Sequence, residues 1–239
     1  MTENETTSEN EFNLMTLSGH LTELRRRLIY CLIALAVGVT VSFSFAQNIL
    51  EFLAKPIGGL ENLQSIEVTE NIGVFMRISL LAGFIFALPV IFYNIIAFIV
   101  PGLKPSERKW IYVSIPFASV MFVAGVAFAL YIMLPAAIPF LVEFLGIKTI
   151  PRLSNYIEFA TNLMFWIGVA FETPLLIFVL AKLHIVTPKG LLKQWRIAIV
   201  VSAVASATIT PTIDPVNMGL LMAPLLALYL ISIVLAFFA

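Results

Sequence analysis

Charge is what this chain has least of. Only 12% of its 239 residues are charged, against about 25% in soluble domains. It has a single aspartate, Asp214, two histidines, His20 and His184, and one cysteine, Cys31. Each scarcity excludes something. One cysteine makes no internal disulfide and no multi-cysteine metal site, and inside an apolar run Cys31 reads as a packing residue. One aspartate excludes the paired carboxyls of an intramembrane aspartyl protease. Both histidines lie in flanks of apolar runs, so no serine within a run has a histidine base in reach. There is no His-Glu-x-x-His zinc motif and no Gly-x-x-x-x-Gly-Lys-Ser/Thr nucleotide loop. The expectation is a protein that is not an enzyme and uses no metal and no cofactor. The net charge of zero points to no nucleic-acid partner.

What the chain has is apolar surface: 60% of its residues are hydrophobic, with a mean hydropathy of +1.00. A globule of this length must cover itself with polar groups, and this composition does not supply them. A bilayer removes that requirement. Runs long enough to span about 30 Å of hydrocarbon fall at Leu28–Ala46, Ile78–Val100, Ile111–Leu134, Phe159–Ala181 and Met218–Ala239, with a shorter one at Ile197–Thr210. The predicted fold is an all-α integral membrane protein of six transmembrane helices, since a helix satisfies its own backbone in lipid. Arg25, Arg26, Arg27, Lys104, Arg108, Lys109, Lys182, Lys189, Lys193 and Arg196 lie on one side of such a bundle. Lys55, Lys148 and Arg152 lie on the other. The positive-inside rule then puts the N-terminus, and after six spans the C-terminus, in the cytoplasm. Arg77, at the start of span two, is expected to snorkel to the interface.

The polar ends are of two kinds. Residues 1–13 carry Glu3, Glu5, Glu9 and Glu11 and few apolar groups, and read as a disordered acidic tail. Residues 14–239 form the membrane domain. Leu17, Leu21, Leu24 and Leu28 make one helical stripe, so an N-terminal interfacial helix should run into span one, with His20, Glu23 and Arg27 off the stripe on the aqueous side. The apolar run of span one is too long for a cleaved signal peptide, and an acidic segment precedes it.

Three features carry candidate chemistry. Glu172 lies near the middle of span four, in Phe171-Glu-Thr-Pro174, where a charge costs about 2.5–3.5 kcal/mol on insertion scales. It is either protonated and bonded inside the bundle or faces a cavity or partner. Glu23 and Glu107 are carboxylates set among basic residues, either balancing charge locally or forming a recognition pair. The fifth span, with Ser202, Ala203, Ala205, Ser206 and Ala207, is short and small-faced. It either borrows Trp195 or Thr210 to reach the interface, or thins the bilayer and admits a partner helix. An ion-coupled permease with Glu172 as proton carrier would predict an inverted repeat, and the sequence contains none.

Several stretches together resemble the TatC family. These are His20-Leu-Thr-Glu-Leu-Arg-Arg-Arg-Leu28; Pro89-Val-Ile-Phe-Tyr93 leading to Ala97-Phe98-Ile99 and Pro101-Gly102-Leu103; Glu107-Arg108-Lys109; Phe171-Glu172-Thr-Pro174; and Thr210-Pro211-Thr-Ile-Asp214-Pro215. Their order matches a six-span map over nearly the whole chain. The resemblance implies a receptor in the cytoplasmic (inner) membrane for twin-arginine signal peptides of folded proteins. It would work with single-span TatA and TatB partners, with membrane lipid and with further copies of itself, driven by the proton-motive force. The family's signal-recognition carboxylates fall on Glu23 and Glu107, in stretches that also supply Arg25, Phe98, Leu103 and Arg108. Its intramembrane glutamate falls on Glu172, which with Thr210 and Asp214 would make polar positions for partner docking. Pro56, Pro101 and Pro211 would shape the loops. The sequence departs from the family pattern at Met218 and at Tyr229-Leu230.

Overall fold

The computed structural model describes residues 3–99, 105–142, 149–210 and 215–238, and side chains within 19–98, 114–142, 149–210 and 215–238. Pro101, Leu103, Pro211 and Asp214 lie outside the described residues, and Glu107 and Arg108 have only their helical backbone described. Among the described residues five helical segments are long and apolar enough to cross a membrane: Gly19–Phe43, Glu70–Phe98, Ser114–Val142, Leu153–Lys182 and Pro215–Ala236. The sixth, Trp195–Ile209, has 15 residues and reaches about 22 Å at about 1.5 Å per residue.

The first helix, α1, runs unbroken from Glu3 to Phe43. The N-terminal helix that the leucine stripe predicts is therefore continuous with span one, and its backbone includes the acidic segment that composition reads as a disordered tail. Extending an existing helix needs no new nucleus. Helix α2, Ala46–Ala54, buries Ala46, Leu50, Leu53 and Ala54 on one face and leads into short 3₁₀ turns at Lys55–Ile57 and Leu60–Asn62. Pro56 sits in the first of these, where its missing N–H costs nothing. The long helix α3, Glu70–Ile99, returns beside α1. The two approach backbone to backbone: a Cβ built on Gly38 would lie 2.5 Å from the Gly83 carbonyl oxygen, and one on Gly83 2.5 Å from Val39 N.

Helix α4, Pro105–Phe128, passes through a π-helical turn at Ala129–Met133 into α5, Leu134–Val142. Helix α6, Leu153–Phe171, breaks at Glu172 and resumes as α7, Thr173–Lys182. A second close crossing joins α4 to α6, where a Cβ on Gly168 would lie 2.7 Å from the Phe122 ring. Phe84, Phe122 and Phe165 meet edge to face beside it, with centroids 5.4–6.4 Å apart, and lock α3, α4 and α6 together. Small residues permit such approaches where lipid gives no hydrophobic drive between helices.

The C-terminal part is a second packing unit. His184, at φ 58°, ends the α7 segment. Helix α8, Pro188–Lys193, is capped by Thr187, whose Oγ1 accepts from the Gly190 N–H at 3.2 Å. Helices α9, Trp195–Ile209, and α10, Pro215–Ala236, form a hairpin. Ile177, Ala181, Leu191, Ile233 and Ala236 pack together here. Tyr229, which precedes the departure from the family pattern at Leu230, donates through its hydroxyl to the Leu191 carbonyl at 2.6 Å and ties α10 to α8.

Candidate functional site

The polar residues gather at two ends of the bundle, a Glu23 face and a Glu70 face. On the Glu23 face the stripe Leu21, Leu24 and Leu28 points outward and is exposed, as the apolar side of a helix must where lipid surrounds it. The off-stripe residues His20, Glu23 and Arg27 keep part of their surface open. They turn onto α3. His20 lies against Phe98, ring centroids 4.8 Å apart. Arg27 Nε donates to Glu23 Oε1 at 2.7 Å, and its Nη1 donates to Asn94 Oδ1 at 3.4 Å. Glu23 keeps 36% of its side-chain surface and Arg27 25%, so this carboxylate is held but still reachable.

Phe98 is half-buried one turn beyond Asn94 on α3. Arg25 is exposed. Glu107 and Arg108 occupy the first turn of α4, with five residues between the end of α3 and its start. Among the described residues the Glu23 face brings together Glu23, Arg27, His20 and Phe98. It adds Asn94 and the His20 ring contact, which the sequence pattern did not single out.

Glu172 stands at the break between α6 and α7. Its N–H donates to the Val169 carbonyl at 3.1 Å and its carbonyl accepts from Leu176 N at 2.9 Å. The fully buried Pro174 fixes the second segment. The carboxyl lies beside the backbone of Phe122, and its Oε1 is buried with no hydrogen-bond partner among the described residues. It is thus inside the α4–α6 junction, within the bundle. Thr210 is buried at the other end of α9, its hydroxyl donating to the Ser206 carbonyl at 2.8 Å. It closes its own helix, and Glu172 and Thr210 are not brought into contact.

The Glu70 face holds a site the sequence reading missed. The Glu70 side chain is 0% exposed and takes four donors: Ile66 N at 3.0 Å, Glu67 N at 3.3 Å, Arg152 Nε at 3.0 Å and Ser154 N at 2.7 Å. Arg152 also pairs with Glu67 at 2.9 Å. Hydrogen bonds donated to Glu67, then to Glu70, hold its guanidinium above the ordinary arginine value. Beside the clamp, Gln64 N donates to the Pro151 carbonyl and Leu153 N to the Gln64 carbonyl. Tyr156 donates to the Leu53 carbonyl at 2.6 Å. Deeper along the same helices Arg77 pairs with Glu158 at 2.9 Å. Arg77 therefore does not simply snorkel: helix α3 starts eight residues before Ile78, which sets Arg77 two turns inside it and opposite α6.

The family model for the Sec-independent protein translocase protein, TatC, matches residues 19–224, which holds both the Glu23 face and Glu172. The chain belongs to the TatC family. It is 37% identical over 227 residues to the Sec-independent protein translocase protein TatC of Carboxydothermus hydrogenoformans, covering 94% of this chain and 93% of that one. It is 38% identical over 232 residues to that of Deinococcus radiodurans, covering 92% and 85%. A crystal structure of the twin arginine translocase receptor TatC superposes with a TM-score of 0.80 at 36% identity, covering 92% of this chain and 98% of that one. A TatC-family chain is a multi-pass helical membrane protein, in accord with the segments described above.

Within the family frame the two faces differ in chemistry. Glu70 has spent its acceptor capacity inside the fold, since four donors surround two oxygens. Glu23 has one charge-assisted bond and open surface. Only the second arrangement suits a carboxylate that exchanges partners with a ligand.

Proposed function

We propose that this chain is the receptor subunit of a twin-arginine translocation system. It sits in the cytoplasmic membrane with both termini in the cytoplasm and binds the twin-arginine signals of folded proteins. With TatA- and TatB-type single-span partners, and further copies of itself, it passes those proteins across the membrane using the proton-motive force.

The orientation is supported by the basic residues. Arg25, Arg26, Arg27, Lys182, Lys189, Lys193 and Arg196 all belong to the Glu23 end, and the cytoplasmic side carries the excess of Lys and Arg. The observation that carries the reading is the Glu23 face itself: a half-exposed carboxylate on α1, an aromatic ring at the end of α3, and Glu107 at the start of α4. Two arginines need two acceptors, and a carboxylate accepts a guanidinium through two parallel bonds. Glu23 and Glu107 supply the acceptors. Phe98 and Leu103 supply apolar surface for the residues that follow the arginines. Arg25 and Arg108 flank the two carboxylates along the chain.

Glu172 plays a later part. It is inside the bundle, where a soluble arginine pair does not first arrive, and its buried oxygen suits a polar group on a partner helix entering the membrane. Thr210 and Asp214 mark the far end of the short span α9 as a second polar contact. The loop prolines implied by the family resemblance fall on Pro56, in the turn after α2, and on Pro101 and Pro211, which lie outside the described residues.

The test is a pull-down of the detergent-solubilised chain with a labelled twin-arginine precursor and its membrane partners. Recovery of the precursor with small single-span proteins supports the receptor reading. Recovery of neither, with a small solute bound instead, contradicts it.

A further inference from the structure

The carboxylate proposed to receive a signal arginine already holds an arginine of the chain itself. Arg27 Nε donates to Glu23 Oε1 at 2.7 Å. The other end of the same guanidinium reaches α3, where Nη1 donates to Asn94 Oδ1 at a long 3.4 Å. Asn94 is only 4% exposed, and its side-chain nitrogen donates to the Val90 carbonyl at 2.8 Å. That bond fixes the amide and leaves Oδ1 turned toward Arg27. The neighbouring Arg26 is directed elsewhere, with Nε donating to the Tyr30 hydroxyl at 3.0 Å and the guanidinium over the Tyr30 ring.

We propose that Arg27 is a built-in competitor for Glu23 that sharpens the preference for arginine over lysine in the incoming signal, with Asn94 as the acceptor that keeps Arg27 when it is displaced. The proposal rests on the receptor reading above. A ligand cation does not meet a vacant carboxylate; it must take Glu23 from Arg27. An incoming guanidinium offers a planar fork, two parallel bonds for the one that Arg27 gives up through Nε. An incoming ammonium offers compact point donors on a strongly hydrated charge, and exchanges one bond for one at best while losing more hydration. The displaced Arg27 is not stranded, because Asn94 is fixed beside it and the long bond can close. Arginine therefore gains from the exchange and lysine does not. Arg27 is a specificity-determining residue in this scheme, acting through Glu23.

The test uses the full chain in detergent and two peptides that differ only in carrying paired arginines or paired lysines. Both are titrated against the wild type and against Glu23→Gln, Arg26→Gln, Arg27→Gln and Arg27→Lys. In Arg27→Gln we expect the lysine peptide to gain about tenfold in affinity and the arginine peptide about threefold, so that discrimination narrows about threefold. Arg27→Lys keeps the charge but loses the fork, and should narrow discrimination in the same direction by less. Arg26→Gln removes a charge near Glu23 without touching the exchange, and should move both peptides by the same factor. Unchanged discrimination in both Arg27 variants overturns the proposal while leaving the receptor reading standing. So does loss of arginine-peptide binding in Arg27→Gln, which would make Arg27 a support for Glu23. No peptide binding by the wild type, or full binding by Glu23→Gln, removes the receptor reading and this proposal with it.

Discussion

The two ends of this bundle use the same pair of residue types to opposite ends. At the Glu70 face a carboxylate with no exposed surface takes three backbone N–H groups and one guanidinium. The partners come from the loop before α3 and the start of α6, 82 to 84 positions away. At the Glu23 face a carboxylate takes one guanidinium four residues along its own helix and stays open on the rest of its surface. The first arrangement joins distant parts of the chain and has no capacity left for a ligand. The second is locally held and exchangeable. A glutamate–arginine pair by itself says nothing about role; the number of donors and their distance along the chain do.

The comparison is sharpened most by cutting the saturated site. Arg152→Ala leaves Glu70 buried without its cation and frees Glu67, and removing one partner of a buried pair is far more harmful than removing both. We expect a drop in melting temperature in detergent several times that of Glu23→Ala, with the binding of a twin-arginine peptide by the surviving folded fraction unchanged. A smaller loss is expected at the α4–α6 crossing. Gly168→Leu forces a side chain into the Phe122 ring, which a Cβ alone approaches to 2.7 Å, and overpacking of this kind costs about 1–3 kcal/mol. Thermal unfolding followed by circular dichroism checks both.

The open site should answer in affinity and hardly in stability. Glu23→Ala removes a charge-assisted acceptor, and peptide binding should weaken about tenfold while the melting temperature moves little; crosslinking to a labelled precursor reads it. Glu107→Ala should behave alike. Glu172→Gln is the mildest for binding. Its carboxyl is inside the bundle with one oxygen buried and unpaired among the described residues, so the variant should bind precursor as the wild type does and lose transport or partner assembly. A binding loss equal to that of Glu23→Ala would move Glu172 into the recognition site.

The sequence carried the spans well because each is a long apolar run, and even the shortness of α9 was legible from the 14 uncharged residues between Arg196 and Pro211. It carried Glu172 as a candidate because a carboxylate in the middle of a span is out of place, and Glu23 and Glu107 through the family resemblance of the stretches that hold them. It did not carry Glu70 or Arg152. Each reads alone as an ordinary loop charge, and their pairing depends on the return of α6 beside α3, which no local pattern encodes. Arg77 misled for the same reason, since its partner Glu158 is 81 residues away. Asn94 was invisible because one amide in an apolar run breaks no rule until Arg27 is seen beside it. Helical spacing is enough to show which α1 residues share the apolar stripe, and that stripe is exposed; that Arg27 reaches Asn94 on α3 depends on how the helices pack.

Glu23→Gln and Glu70→Gln make the same chemical change at the two faces, and each variant is assayed in detergent for twin-arginine peptide affinity and for melting temperature. We predict that Glu23→Gln binds the peptide about tenfold more weakly with a melting temperature close to the wild type, and that Glu70→Gln melts well below it while its folded fraction binds the peptide normally. Normal binding by Glu23→Gln together with lost binding by folded Glu70→Gln would contradict the assignment of recognition to the open carboxylate.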